Sequence, residues 1–399
     1  MKPLLEKAFF ALVRSAINGE KLGEDEKNVI QTHGVSGLFA LAKQHDLAHL
    51  MFVALQNNGL LTETSAETPR FLQEWNLAVY RRETQQYVLA QIGALLDGAE
   101  IPYLPLKGSV LCALYPESWM RTSCDIDVLV EQKNLEKAVA LLSENGFVCE
   151  GDHYHDVSLH SPEGVHLELH YELIEERDSM DCHALLEDIW AHVLPVDDKG
   201  YEKKMPDELF VLYHVAHTAK HFVYGGCGIR PFLDFWIMQS KMSCDTQKLQ
   251  KLQKLLQESG LQTFYEYTLK LTAHWFDNGE TDEVLQGMKA YIWRGGVYGT
   301  AENQIAVNRE HPKGKAGNFF SSVFVSYENL WHSYPALKGK KWLTPVYQVR
   351  RWFRILFKGI SKSKREELKA YGSVSKEEKQ EMQRVLDGLD LCKNRGKGF

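Results

Sequence analysis

The chain has 399 residues, 44% of them hydrophobic and 25% charged, with a net charge of −7. That length accommodates two or three ordinary domains with a sizeable core. The acidic balance removes any whole-protein electrostatic case for nucleic-acid or membrane binding. Seven scattered cysteines, none spaced as C-x-x-C, argue against a disulfide framework or a zinc knuckle and for free thiols in a reducing cytoplasm.

The opening stretch, MKPLLEKAFFALVRSAINGE, breaks its apolar run at Glu6, Lys7 and Arg14, so it reads as an amphipathic helix and not a signal peptide. No window approaches about 18 uninterrupted apolar residues, so no spanning helix is expected. Through residue 98 the apolar positions recur at three- and four-residue intervals, which predicts an N-terminal helical region. The texture changes at Ile101. IPYLPLK reads as a strand, GSVLCALYP as a helix, DIDVLV as a strand, and KNLEKAVALLSENG as a helix closed by Gly146. FVCEG, HDVSLHS and VHLELHYEL then read as successive strands separated by turn residues. From about 205 to 294 the pattern is helical again. Residues 295–399 form a loop-rich connector followed by a basic, aromatic tail. The succession predicts an α+β fold, with a small mixed sheet and helices at 99–205 flanked by helical regions on both sides.

Within DIDVLV, Asp125 and Asp127 sit one residue apart and so project to the same face of a strand. Two carboxylates a few ångströms apart repel each other, and either one takes a proton or a cation sits between them. Hard oxygen ligands in that arrangement suit Mg²⁺. The plainer reading is a strand end at which Asp125 caps a turn and Asp127 is solvated. Upstream, Gly108 and Ser109 stand between a strand and a helix, where free backbone N–H groups accept a phosphate. Downstream, Glu168 lies in a strand with Leu167 and Leu169 on its other face. A third carboxylate there would complete a site for two metal ions.

The order strand, Gly-Ser, helix, hydrophobic-Asp-hydrophobic-Asp-hydrophobic, then a later carboxylate strand resembles the DNA polymerase β-like nucleotidyltransferase superfamily. The fuller string LKG…LY…R…DIDVLV…ELHYEL is similar to one bacterial branch, the NTP_transf_5 type nucleotidyltransferases. Fifteen residues separate Ser109 from Asp125, more than the superfamily's usual spacing. The resemblance implies a polymerase β-like core at 99–205, with the helices of 206–294 covering the active cleft. It implies an enzyme that binds ATP or another NTP, moves an NMP to an acceptor hydroxyl or phosphate and releases pyrophosphate, with Mg²⁺ (or Mn²⁺) as cofactor. Asp125, Asp127 and Glu168 would hold the metals, Gly108 and Ser109 the β- and γ-phosphates, and Lys107 and Arg121 would neutralise triphosphate charge. The acceptor is left open among a small molecule, a peptide, a protein and tRNA. Two other readings stand beside this one: a non-catalytic nucleotide-binding scaffold or sensor, and a toxin-like enzyme acting on tRNA.

Several further residues have two readings each. His170 shares the face of Glu168 and either lines the cleft or is a satisfied structural histidine. His214, His217 and His221 form one stripe of a predicted helix. The first and third are about 10 Å apart, too far for one ion to bridge comfortably, which favours a cleft-lining role over a metal site. Lys220 beside them is an acceptor-side candidate. Arg230 and Asp234, four residues apart, form either a helix salt bridge or an acceptor-side pair in which Asp234 deprotonates a hydroxyl. His153, His155, His160 and His166 show no ligand spacing. Residues 338–365 hold ten basic residues and no acidic one, interleaved with Trp342, Trp352, Phe353 and Phe357. This segment either docks its aromatic side on the protein, lies on an anionic membrane surface, or grips RNA.

Overall fold

The computed structural model describes residues 3–152, 156–174, 182–198, 200–241, 246–296, 339–358 and 375–391, and the single positions 324, 327, 330, 334 and 337. Most of the expected connector, His153, His155, and residues 338 and 359–365 of the basic segment lie outside the described residues.

Helices α1 (Pro3–Asn18), α2 (Glu24–His33), α3 (Val35–Gln44), α4 (Ala48–Asn57) and α5 (Thr68–Gly98) precede a five-stranded sheet. Its strands are β1 (Tyr103–Pro105), β2 (Asp125–Val130), β3 (Val148–Asp152), β4 (Asp156–His160) and β5 (His166–His170), in spatial order β1-β2-β5-β4-β3. β2 and β5 run parallel and the other neighbours are antiparallel. The short α6 (Lys107–Leu111) follows β1, and α7 (Leu135–Glu144) separates β2 from β3. After the sheet come α8 (Cys182–Leu186), α9 (Asp207–Val223), α10 (Arg230–Lys241), α11 (Thr246–Glu258), α12 (Gln262–Phe276) and α13 (Glu283–Gly295). The described residues form a mostly helical, mixed α/β protein with a small mixed sheet and a two-stranded antiparallel ribbon, Leu194–Pro195 against Lys203–Lys204.

The alternation of β2 and β5 decides which residues meet which layer. Ile126, Val128, Val130, Leu167 and Leu169 join Val88, Ile92 and Leu96 of α5 and Ala138 and Leu142 of α7 in one apolar cluster. Each fully buried side chain of this kind contributes roughly 1.5–3 kcal/mol. The odd-numbered residues of β2 and the even-numbered ones of β5 face the opposite side, toward α9. The 31-residue α5 keeps one buried stripe, Phe71, Ala78, Gln85, Val88, Ile92 and Leu96, because those positions return to one face of the helix. A second, larger core crosses the segment limits near 98 and 205. Phe10 of α1 stacks on Trp275 at 4.5 Å and meets Phe276 edge-on at 5.5 Å. The N-terminal helices and the helices after the sheet therefore share buried surface.

The basic segment divides its side chains. Tyr347 packs on Tyr334 (5.2 Å) and Trp352 on Phe324 (5.2 Å), while Gln348 is buried. Trp342, Val346, Val349 and Phe353 stay exposed. These contacts are made with the neighbouring residues 324 and 334. Among the described residues, no helix is long and apolar enough to cross a membrane.

Candidate active site

β2 and β5 lie in register, with Asp125 opposite His166 and Asp127 opposite Glu168. Parallel pairing keeps the two-residue periods of both strands in step, so Asp125, Asp127, Glu168, His166 and His170 crowd one face. Two trios, Asp125–His166–Glu168 and Asp127–Glu168–His170, each bring their ligand atoms within 4.8 Å of one another. His166 was missed by sequence reasoning, although it precedes Glu168 by two residues and therefore shares its face.

The cluster offsets much of its own charge. Lys107 Nζ donates to Asp127 Oδ1 at 2.7 Å, and His170 Nε2 lies 2.9 Å from the same oxygen and 3.4 Å from Glu168 Oε2. Burial pushes the Asp127 carboxyl up, but the Lys107 ammonium and the His170 imidazole overcome it and hold Asp127 far below the usual carboxylate range. Burial likewise opposes the charge of Lys107, and Asp127 outweighs it, so the ammonium is held more firmly than usual. Burial lowers His170, and its bonds to Asp127 and Glu168 more than restore it. Glu168 is lowered chiefly by His170, against its own burial. Asp125 moves the other way, pushed up by burial and by the charge of Asp127, with the Ser123 hydroxyl (2.7 Å) opposing. One carboxylate pushed high beside one held low is the kind of perturbation that clusters at functional sites.

The turn from β1 into α6 supplies the neighbouring wall. The Leu106 N–H donates to Asp127 O at 3.0 Å, which brings the turn against β2. Lys107 has φ +41°, a left-handed conformation that costs a non-glycine residue of order 1 kcal/mol or more and that its bond to Asp127 holds in place. At Gly108 a Cβ would stand 3.0 Å from Ser123 Oγ and 3.1 Å from Ser123 Cβ, so only glycine leaves Ser123 undisturbed on Asp125. Ser123, also missed, sits two residues before Asp125, and the i,i+2 rule would have found it. Ser109 differs from expectation. Its amide is engaged by Leu106 O at 3.1 Å as the first helical turn closes, and it does not line the cleft.

A cleft of ≈ 510 Å³ opens between this face of the sheet and α9–α10, lined by Lys107, Gly108, Asp125, Asp127, Glu168 and His170 on one side and His217, Lys220, His221 and Arg230 on the other. His217 and His221 meet edge-on with ring centroids 4.4 Å apart. His214 is buried against Phe235, with Nε2 3.8 Å from Asp234 Oδ2, and burial pulls its imidazole down to about 4. Burial also lowers His217, with Lys107 and His221 adding to the effect. The stripe is thus an edge of the cleft, held largely neutral. Among the described residues, neither candidate metal group includes it.

Two expectations are corrected here. Asp234 is fully buried, and both its oxygens accept from Arg121, at 3.0 Å from Nε and 3.0 Å from Nη2, with the Tyr115 hydroxyl at 2.7 Å from Oδ1. No acceptor hydroxyl reaches it, so the acceptor-side base reading fails. Arg121 lines the cleft and directs its Nη1 to Thr122 O at 2.7 Å, so the same guanidinium also braces the loop before β2. The i,i+4 salt bridge between Arg230 and Asp234 is also not formed. Arg230 reaches Asp46 Oδ2 (3.1 Å) and Thr122 O (3.0 Å) instead. Asp46 carried no sequence signal, and Tyr115, although it is the tyrosine of the family-like LY, gave no sign of Asp234, which lies 119 positions along the chain.

A sheet face carrying three carboxylates and two histidines, set beside a glycine turn and facing a polar cleft, defines a site whose acidic cluster could bind a metal ion. The family model described as uncharacterised nucleotidyltransferase, NTP_transf_5, matches residues 33–277, and the chain belongs to that family. Membership implies nucleotidyltransferase activity, and such enzymes generally work with divalent metals. Comparison with curated proteins and with solved structures finds no match.

Proposed function

We propose that the protein is a polymerase β-like nucleotidyltransferase that moves an NMP from an NTP to an acceptor hydroxyl or phosphate and releases pyrophosphate. The observation that carries this reading is the register of Asp127 against Glu168, which gathers Asp125, Asp127 and Glu168 on one face beside the Gly108 turn. The donor set fits Mg²⁺, or Mn²⁺, because it is dominated by hard carboxylate oxygens. A divalent cation held there supplies charge neutralisation for the triphosphate and the attacking oxygen.

The chain's own residues do the remaining work by positioning and charge. Lys107 contributes a buried positive charge at the carboxylate end of the cleft, and Gly108 allows close backbone approach by phosphate. Ser123 orients Asp125. His217, Lys220 and Arg230 furnish the acceptor side, with His170 holding Asp127 and Glu168 in place from the sheet. On this reading residues 99–205 form the catalytic core and 206–294 cover it. The setting is cytoplasmic, where NTP is supplied and the free thiols stay reduced.

The pairing of Lys107 and His170 with Asp127 favours a second reading, a nucleotide-binding scaffold in which protein cations replace the metal. Incubation with α-labelled NTP, Mg²⁺ and cell extract separates the two. Label transfer that Asp127→Ala abolishes supports the enzyme. Metal-independent NTP binding without transfer overturns it in favour of the scaffold.

A further inference from the structure

The acidic chain carries one concentrated reversal of charge, the ten basic residues of 338–365 with no acid among them. Within it the turn Lys341–Leu343 leads into the helix Thr344–Lys358. Trp342 is 77% exposed, Val346 60%, Val349 43% and Phe353 55%. Intervals of four, three and four residues place them on one stripe of a helix. The other side is already occupied, by buried Gln348, by Tyr347 against Tyr334 and by Trp352 against Phe324. The apolar stripe therefore faces outward, flanked by exposed Lys340, Lys341 and Arg350.

We propose that this helix seats in the plane of an anionic lipid surface, its Trp342–Val346–Val349–Phe353 stripe in the headgroup–acyl boundary and its cations on the lipid phosphates and carboxylates. Charge complementarity selects an anionic occupant, since the segment offers positive charge without an acidic residue to moderate it. The centre of the stripe selects lipid over nucleic acid. Val346 and Val349 have no ring to stack on a base, whereas burying aliphatic surface is what an interfacial helix does. No helix among the described residues spans a bilayer, so the contact is peripheral. It brings the cleft to a surface without requiring either the donor or the acceptor to be a lipid.

The test is co-sedimentation of the full chain with extruded vesicles of neutral phosphatidylcholine, with or without about 30 mol% phosphatidylserine. Binding is expected to rise about ten-fold with the anionic lipid and to fall about ten-fold in Val346→Asp/Val349→Asp. It should also weaken in Lys340→Glu/Lys341→Glu and as NaCl is raised from about 0.05 M to about 0.5 M. These positions are exposed, so unchanged thermal unfolding of both variants is the control for folding. Equal pelleting with both vesicle types overturns the proposal, as does anionic-lipid binding that ignores both double variants. Tight binding of single-stranded RNA that survives Val346→Asp/Val349→Asp, with no vesicle binding, assigns the segment to nucleic acid instead.

Discussion

Asp127 and Glu168 face each other across the parallel pair β2–β5, and His170 Nε2 reaches both, at 2.9 Å and 3.4 Å. The pairing is a product of register. A slip of one residue in β5 would send Glu168 into the apolar layer against α5 and α7 and bring Leu167 or Leu169 to the cleft.

Because Lys107 Nζ lies on Asp127 Oδ1, it competes with a metal for that carboxylate while adding positive charge for a nucleotide. Lys107→Met is therefore expected to raise the affinity for Mn²⁺ alone by about ten-fold and to lower the affinity for Mg·NTP by a similar factor. Titration calorimetry reads both. A drop in both affinities would show that Lys107 only props the site.

Gly108→Ala places a methyl group 3.0 Å from Ser123 Oγ. The displaced hydroxyl leaves Asp125, and the expected cost is about 1–2 kcal/mol in stability with a several-fold loss of metal affinity. Adding Ser123→Gly makes room and is expected to restore stability but not metal affinity. Chemical denaturation and Mn²⁺ binding on the single and double variants check this, and full recovery of both would contradict the orienting role of Ser123.

The Arg121–Asp234 pair is almost wholly buried. Asp234→Asn leaves a buried guanidinium uncompensated and should cost about 3–5 kcal/mol, whereas Arg121→Leu/Asp234→Leu should recover most of it. Equilibrium unfolding of the three proteins measures the difference. A double variant no more stable than the single one would argue that the Tyr115 hydroxyl, left without its acceptor, dominates.

His45 is fully buried, 5.2 Å from Trp293, and burial pulls its imidazole down to about 4, with the Trp293 backbone opposing. The unfolded chain takes up the proton near the ordinary value and the folded chain does not. His45 thus costs nothing above pH about 6.5, and destabilises progressively as pH falls toward 4. At pH 5 the penalty is about 2 kcal/mol. In His45→Leu the fall in melting temperature between pH 7 and pH 5 should shrink accordingly, and an unchanged slope would exclude this residue as its source.

The carboxylate face was legible because strand alternation is a local rule: Asp125, Asp127 and Glu168 announce their side by their neighbours Ile126, Val128, Leu167 and Leu169. The same rule, applied two residues further, contains Ser123 and His166. The partners of Arg121 and Arg230 were not legible. On one helix, Arg230 and Asp234 look like a pair, and only tertiary packing draws each to a residue more than a hundred positions away. Likewise the periodicity that marks α1 as amphipathic does not say that its apolar side will meet Trp275 and Phe276.

Asp46 occupies the left-handed corner between α3 and α4, at φ +55°, and its Oδ2 accepts from the Thr122 hydroxyl at 2.7 Å and from Arg230 at 3.1 Å. Three remote stretches of chain thus meet at one oxygen, and Thr122 among them stands three residues ahead of Asp125. The sheet also leans on α5, which lies wholly before residue 99. The carboxylate strand is consequently no portable cassette. Grafted elsewhere, or cut out at its apparent boundaries, it would arrive with a naked hydrophobic back and an untethered leading loop. Change in this lineage is therefore easier along the outer rim of the cleft than by shuffling its centre between proteins.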